Sequence, residues 1–363
     1  MNSAAGIYIH VPFCKQKCPY CDFYSITSPS LYDEYTEAVL RAVASCPFDI
    51  EADTLYFGGG TPSLLGASRL VAIKEAAFSR FSLDNRSEVT LEANPGAVDF
   101  AMLESLSNGG FNRIAFGVQS LNDNVLKVLG RIHSAKQAAD SILAAREAGF
   151  KQISADLMLA VPTQTIEDIS ASIAALAALS VEHISAYLLK VEPKTAFGSA
   201  QIDVDDDFAA DCYLAAAEQL SKNGFLQYEI SNFAKDSRFQ SRHNLKYWNC
   251  EPYLGIGPAA HSFIDGRRFY FERDLAAFCS APTPWELRRD DGEGGGEDER
   301  IMLGLRLNSG IDLSCFSPKT QERVLSRIPP LEKAGLVNNR EGVVSLTVLG
   351  ALVSNSVISR LLL

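Results

Sequence analysis

Six short apolar runs, set apart by segments with helical periodicity, fill the first half of this chain. They are GIYIHV, DTLYFGG, EVTLEANP, NRIAFGVQS, QISADLML and HISAYLLK, and each has the length and residue types of a buried strand. Between them apolar positions recur at helical spacing over 32–44, 68–78, 135–148 and 166–179. Strand then helix, repeated, predicts a parallel sheet with its helices outside, because parallel neighbours need a long crossover connection. Six units are too few for the closed eightfold barrel. The expected fold is therefore α/β, a partial (βα)6 TIM-like barrel that works at the C-terminal ends of its strands.

After a helical segment over 208–223 the pattern loosens, through YEISNFA and a polar, aromatic-rich stretch that ends near Phe278. Next comes DDGEGGGEDER, residues 290–300, whose acidic, glycine-rich composition predicts a solvated linker. Beyond it lie helical patterns, two strand-like runs about a turn at Gly342, and a last helix. These predict a small C-terminal winged-helix-like domain. The expected division is a core over 1–230, a barrel extension over 231–289, the linker over 290–300 and the small domain over 301–363.

A net charge of −11 opposes a broad grip on nucleic acid, which needs clustered Lys and Arg. No run of 18 apolar residues occurs, and MNSAAGIYIHVPF lacks a basic leader with a cleavage site. A cytoplasmic protein is expected, with peripheral membrane contact left open.

In a reducing compartment the eight cysteines are read by ligand chemistry rather than as disulfides. Cys46, Cys212, Cys250, Cys279 and Cys315 are scattered singly, the pattern of small buried apolar residues. Cys14, Cys18 and Cys21 instead share one loop after the first strand, stiffened by Pro12 and Pro19. Three thiolates suit iron–sulfur or zinc. Structural zinc takes four protein ligands, and no fourth Cys or His follows at the usual spacing, since residue 23 is Phe. Iron–sulfur thus ranks ahead of zinc, and three coincidental core cysteines come last. A 4Fe-4S cluster on three cysteines keeps one iron open, which can chelate the amino and carboxylate groups of S-adenosylmethionine (SAM).

Gly58-Gly59-Gly60-Thr61-Pro62 ends the second strand, and a glycine run lets the backbone approach a ligand or simply turn tightly. Glu92, Gln119 and Asp156 stand at or near strand ends, and Arg131 follows the fourth helix. Singly each reads as a loop polar residue or an ion pair. Together they offer acceptors for ribose hydroxyls and an amino group, with Arg131 for a carboxylate.

With YIHVPFCKQKCPYCDF, FGGGTP, LEANP and FGVQS in place, the chain resembles the radical SAM superfamily and its coproporphyrinogen oxidase-like branch over nearly its whole length. The resemblance implies that Tyr8 contacts SAM near the cluster and that Tyr20 supplies a backbone contact. It also implies that Gly59, Gly60, Thr61, Glu92, Gln119, Arg131 and Asp156 line the SAM site.

Oxygen-independent coproporphyrinogen III oxidases resemble this chain but carry a further cysteine two positions after the third ligand and a longer segment before the cluster. Phe23 occupies that position here, and HNLKYW (His243 to Trp248) matches the HNxxYW signature of HemW-type heme chaperones. That resemblance implies heme as cargo, delivery to membrane cytochromes or respiratory enzymes, a homodimer, and a cluster with SAM that supports the active form. Imidazole can ligate heme iron, and Tyr247 and Trp248 can cover a porphyrin face, which makes His243 a candidate heme ligand. A hydrogen-bonded buried turn explains the same motif, and His261 reads similarly. His10, beside the cysteine loop, reads as support for it. The alternative function is oxidative decarboxylation of coproporphyrinogen III by radical SAM chemistry. A third is a zinc-stabilised interaction protein.

Overall fold

In the computed structural model, which describes residues 4–363, the six expected strands are β1 (Ala5–Val11), β2 (Ala52–Gly59), β3 (Glu88–Ala93), β4 (Arg113–Gln119), β5 (Gln152–Leu159) and β6 (His183–Leu188). Residues 1–3, where the expected core domain and its leader-free N-terminus begin, lie outside the described residues. The strands pair in chain order and all in parallel. Helices α1 (Tyr32–Ala44), α2 (Ala67–Arg80), α3 (Phe100–Asn108), α4 (Asp123–Val128), α5 (Ala135–Glu147) and α6 (Ile166–Ala178) make the crossovers. Two of these helices start where the sequence dictates. Ser134 with Gln137 and Thr165 with Asp168 form reciprocal capping boxes that satisfy otherwise orphaned backbone N–H groups of α5 and α6.

Strand alternation sorts the side chains. Ile7, Ile9 and Val11 of β1 and Leu55 and Phe57 of β2 are fully buried in the main core, which also takes Val39, Leu70, Ile142 and Ile173 from the crossover helices. The intervening positions Tyr8, His10, Tyr56, Glu92 and Asp156 carry polar groups to the other face, the barrel interior. The same pleat that builds the core therefore supplies the site.

The barrel is widened on both edges into a twelve-stranded sheet. Short strands β7 (Leu226–Gln227) and β8 (Asn232–Ala234) extend the β6 side, with β8 antiparallel to β6. On the other side β9 (Tyr253–Ile256) runs parallel to β1, followed by antiparallel β10 (His261–Ile264), β11 (Arg267–Phe271) and β12 (Arg288–Glu293). Helices α7 (Ala196–Ser199), α8 (Asp206–Lys222), α9 (Arg242–Trp248) and α10 (Leu275–Ser280) complete this part.

The expected solvated linker over 290–300 is corrected by the structure. Its first residues belong to β12, and its last four begin α11 (Glu297–Gly304). Its charges are engaged: Asp290 accepts from Arg267 at 2.8 Å, and Glu299 accepts from Arg268 at 2.6 Å. Charged side chains on an outermost strand prevent edge pairing with other chains, and acidic residues in a first helical turn complement the helix dipole. Both uses look like a solvated run in sequence.

The C-terminal helices and strands enclose a second apolar cluster of Ile301, Leu305, Val324, Ile328, Val344, Val357 and Leu361. They comprise α11, β13 (Ile311–Asp312), α12 (Pro318–Lys333), β14 (Val337–Arg340), β15 (Val343–Leu346), α13 (Val348–Leu352) and α14 (Ser354–Leu362), with the strands in the order β13-β15-β14. Glu341 and Gly342 both have positive φ, 54° and 89°, as a tight two-residue hairpin turn requires. The expected single last helix is instead two, broken at Val353. Among the described residues no helix is long and apolar enough to cross a membrane.

Candidate cofactor site

At the C-terminal ends of the six parallel strands lies a cavity of about 620 Å³. Its walls hold Cys14, Cys18, Tyr20 and Cys21 from the loop after β1, and Gly59, Gly60 and Thr61 from the end of β2. Glu92 and Asn94 after β3, Gln119 on β4, Arg131 after α4 and Asp156 on β5 complete them. Every residue expected to hold the cluster or SAM reaches this wall except Tyr8, and the heme candidates His243 and His261 do not line it. The size falls within the range of cofactor pockets.

The cysteine loop is closed at its base by backbone bonds, Cys14 N–H to the Ile26 carbonyl at 2.9 Å and Ile26 N–H to the Pro12 carbonyl at 2.8 Å. The glycine run docks on that base: Gly60 N–H donates to the Val11 carbonyl at 2.9 Å, and Thr61 N–H to the Phe13 carbonyl at 2.6 Å. A Cβ on Gly60 would stand 2.5 Å from the Phe13 oxygen, and one on Gly59, whose φ is +110°, would stand 2.7 Å from the His10 ring. The expectation that these glycines admit a ligand is thus refined. Their lack of a side chain is needed first to seat the loop against the protein itself.

A polar chain then ties two of the cysteines together. The Thr61 hydroxyl lies 3.7 Å from the Cys14 sulfur and accepts from the Asn94 carboxamide at 2.8 Å. The Asn94 oxygen accepts from Arg131 Nη2 at 2.5 Å, and Arg131 Nη1 lies 3.6 Å from the Cys18 sulfur. Arg131 also donates to the Gly117 carbonyl at 2.7 Å. No carboxylate of the chain hydrogen-bonds Arg131 among the described residues. Asn94 went unnoticed in the sequence, although LEANP places it two residues after Glu92.

Deeper in the cavity, Glu92 accepts from the Tyr56 hydroxyl at 2.8 Å and from Gly59 N–H at 3.2 Å. Burial pushes its carboxyl up to about 7, with the nearby Asp156 adding to the rise. Burial likewise raises Asp156 to about 6, against the pull of Ser185, Arg113 and Arg131. Two carboxyl groups held near neutrality are poised to gain stability from a bound cation or hydroxyl donors. Gln119 sits at an irregularity in the β4–β5 register with φ at +65°, and its Oε1 is buried without a partner. A strained residue presenting an unpaired acceptor to a cavity is the mark of a ligand site.

Tyr8 is half-buried and stands outside the cavity lining: its hydroxyl pairs with His10 Nδ1 at 3.1 Å, and its ring packs between Tyr56 and His243. The expectation for His243 is corrected. His243 plugs the opposite end of the barrel. The residue is 1% exposed, Nδ1 is 2.8 Å from the Thr54 hydroxyl and Nε2 is 2.8 Å from the Tyr247 hydroxyl. Its backbone N–H donates to Glu88, the first residue of β3, at 3.0 Å. With both nitrogens engaged and no route to solvent, His243 cannot present itself to a porphyrin here. The HNLKYW helix is the hydrogen-bonded buried turn.

Among the described residues no three Cys, His, Asp or Glu side chains converge to hold a single metal ion. The three half-buried thiols ringing one cavity fit a multi-iron cluster, in which each thiolate binds a separate iron.

A family model described as "Radical SAM superfamily" matches residues 8–176, and one described as "HemN C-terminal domain" matches residues 298–353. The chain is 35% identical to the Bacillus subtilis (strain 168) protein named heme chaperone HemW, over 96% of this chain and 97% of that protein. It is 37% identical to the Escherichia coli (strain K12) protein of the same name, over 72% and 71%. Among solved structures, coproporphyrinogen III oxidase (HemN) from Escherichia coli, a radical SAM enzyme, superposes with a TM-score of 0.85. It is 21% identical and covers 99% of this chain and 90% of that one, a likeness of fold.

Proposed function

The chain belongs to the radical SAM superfamily and, within it, to the family of the HemW proteins, and from that premise we propose that it is a heme chaperone. In this reading it binds heme as cargo and holds a 4Fe-4S cluster with SAM in its barrel. The observation that carries the reading is 35% identity sustained over nearly the full length of both chains.

Cys14, Cys18 and Cys21 would hold the cluster, Glu92 and the Gly59–Thr61 backbone the amino group of SAM, and Gln119, Arg131 and Asp156 its remaining polar groups. When bound, the cluster supplies an open iron that fixes the amino and carboxylate groups of SAM and a route for an electron to it. The protein's own part is placement. The Thr61–Asn94–Arg131 chain aims donors at two sulfurs, which steadies thiolate charge. Burial raises the proton affinity of Glu92 and Asp156, and a cationic ligand would favour their charged forms. Phe23, 67% exposed, leaves the loop without a fourth thiol.

Delivery to membrane cytochromes or respiratory enzymes, a homodimer, a cytoplasmic location and partner docking by the C-terminal domain belong to the same proposal. The test is made on one anaerobic, iron- and sulfide-reconstituted sample. Heme is titrated while coproporphyrinogen III turnover and deoxyadenosine release are followed. Saturable heme binding without decarboxylated product is expected. Turnover of coproporphyrinogen would make the protein an oxidase instead.

A further inference from the structure

If heme is the cargo, an iron ligand must be reachable, and the chain has five histidines. Four are buried, at 6% exposure or less, with ring nitrogens already bonded. His10 pairs with the Tyr8 hydroxyl and the Tyr24 carbonyl, and His183 with the Ser154 and Tyr228 hydroxyls. His133 pairs through Nε2 with the Val118 carbonyl, and His243 is closed off as described.

His261 differs on every count. It is exposed, and among the described residues neither of its ring nitrogens has a hydrogen-bond partner. As the first residue of β10 it follows the C-terminal end of β9, so it stands at the same end of the barrel as the cysteine loop. Its ring stacks on Tyr270, the residue opposite it on β11, with centroids 5.2 Å apart and planes at 22°. A ring fixed in this way loses little freedom on ligation.

The surroundings suit a dianionic, flat, apolar ligand. Arg289 lies opposite Tyr270 on β12, and Arg273 lies on the cavity wall. Both side chains are more than half exposed. Arg273 is only loosely paired with Asp22, at 3.8 Å, while Arg289 contacts Glu272 at 2.8 Å. Next to Asp22 stands Phe23, an apolar side chain 67% exposed on the same rim. Partial burial, aided by Arg273 and Arg268 and opposed by Asp291, keeps the His261 imidazole below its ordinary value, which favours the neutral ligating form.

We propose that His261 is the axial ligand of the heme iron, with Tyr270 positioning its ring, Arg273 and Arg289 receiving the propionates, and Phe23 offering an apolar contact at the cavity mouth. The inference rests on the heme-chaperone reading and places the cargo beside the cluster end of the barrel, away from the HNLKYW helix.

The experiment titrates heme into the full chain, cluster reconstituted, as wild type, His261→Ala and His261→Gly, reading the Soret spectrum and the spin state. Wild type is expected to show a histidine-ligated spectrum. His261→Ala should lose it and bind at least about tenfold more weakly, and imidazole should restore the spectrum in His261→Gly. SAM binding by the variants confirms that they fold. If wild type and His261→Ala bind alike, or imidazole restores nothing, His261 is not the ligand although the chaperone reading stands. If wild type shows no saturable binding, the chaperone reading falls and this assignment with it.

Discussion

Arg131 and Asn94 meet in a hydrogen bond of 2.5 Å, from guanidinium Nη2 to carboxamide Oδ1, and it joins the sulfur of Cys18 to that of Cys14 through Thr61. Asn94 stands at the middle of this chain, accepting from Arg131 and donating to Thr61. Asn94→Ala leaves the Arg131 charge with one carbonyl partner fewer, a loss of about 1.5–3 kcal/mol for a bond to a charged group. The variant is expected to unfold at lower denaturant and to retain less iron after reconstitution. Chemical denaturation and iron counting check both.

Gly60 tests the base of the loop. A methyl group there meets the Phe13 carbonyl at 2.5 Å, a backbone atom that cannot swing aside as a side chain would. Gly60→Ala is expected to push the β2 end and the cysteine loop apart, by analogy with overpacked sites that lose about 1–3 kcal/mol. Iron and sulfide incorporation should fall further than thermal stability alone explains. Gly296→Ala, where no atom lies within 4 Å of the added carbon, serves as the matched control.

Glu92 sets a pH dependence in the ligand-free protein. Its folded-state value of about 7 lies above the ordinary 4.5, so the folded state holds the proton more tightly than the unfolded one. Stability from this group is complete below about pH 4.5 and is lost as pH rises to about 7, after which it is flat, a total of about 3 kcal/mol. Asp156, raised from 3.8 to about 6, adds a fall of the same sign over its own window. Glu92→Gln should therefore flatten the slope of melting temperature against pH between 5 and 7 and raise stability at about pH 8. A wild-type melting temperature that rises across this range would contradict the assignment.

The barrel was legible because its signals are local. Each strand end carries its motif within a few residues, so Cys14, Gly60, Glu92, Gln119 and Asp156 converge once the strands run parallel. What depended on distant partners was not. Asn94 acquires its role from Arg131, 37 residues on. The acidic run at 290–300 becomes strand and helix only because Arg267 and Arg268 on β11 answer its carboxylates. His243 illustrates the same limit. A histidine among aromatics reads as a heme ligand until Thr54, 189 residues away, is found on its ring nitrogen.

His243 gives the last test, since its two readings predict opposite outcomes. As a plug at the N-terminal end of the barrel it fills space beneath Gly6, where an added Cβ would stand 3.0 Å from its ring. It also satisfies Thr54 and Tyr247 while its imidazole, pushed down to about 3 by burial, stays neutral. His243→Ala removes both bonds and opens a cavity, which costs about 2–5 kcal/mol on the scale of large buried truncations. His243→Gln keeps a polar side chain there and should recover part of that loss. The folded fraction of either variant is expected to bind heme with the wild-type spectrum, because the ring never faces solvent. Loss of the histidine-ligated spectrum in a His243→Gln protein that melts as wild type does would return the iron to this end of the barrel.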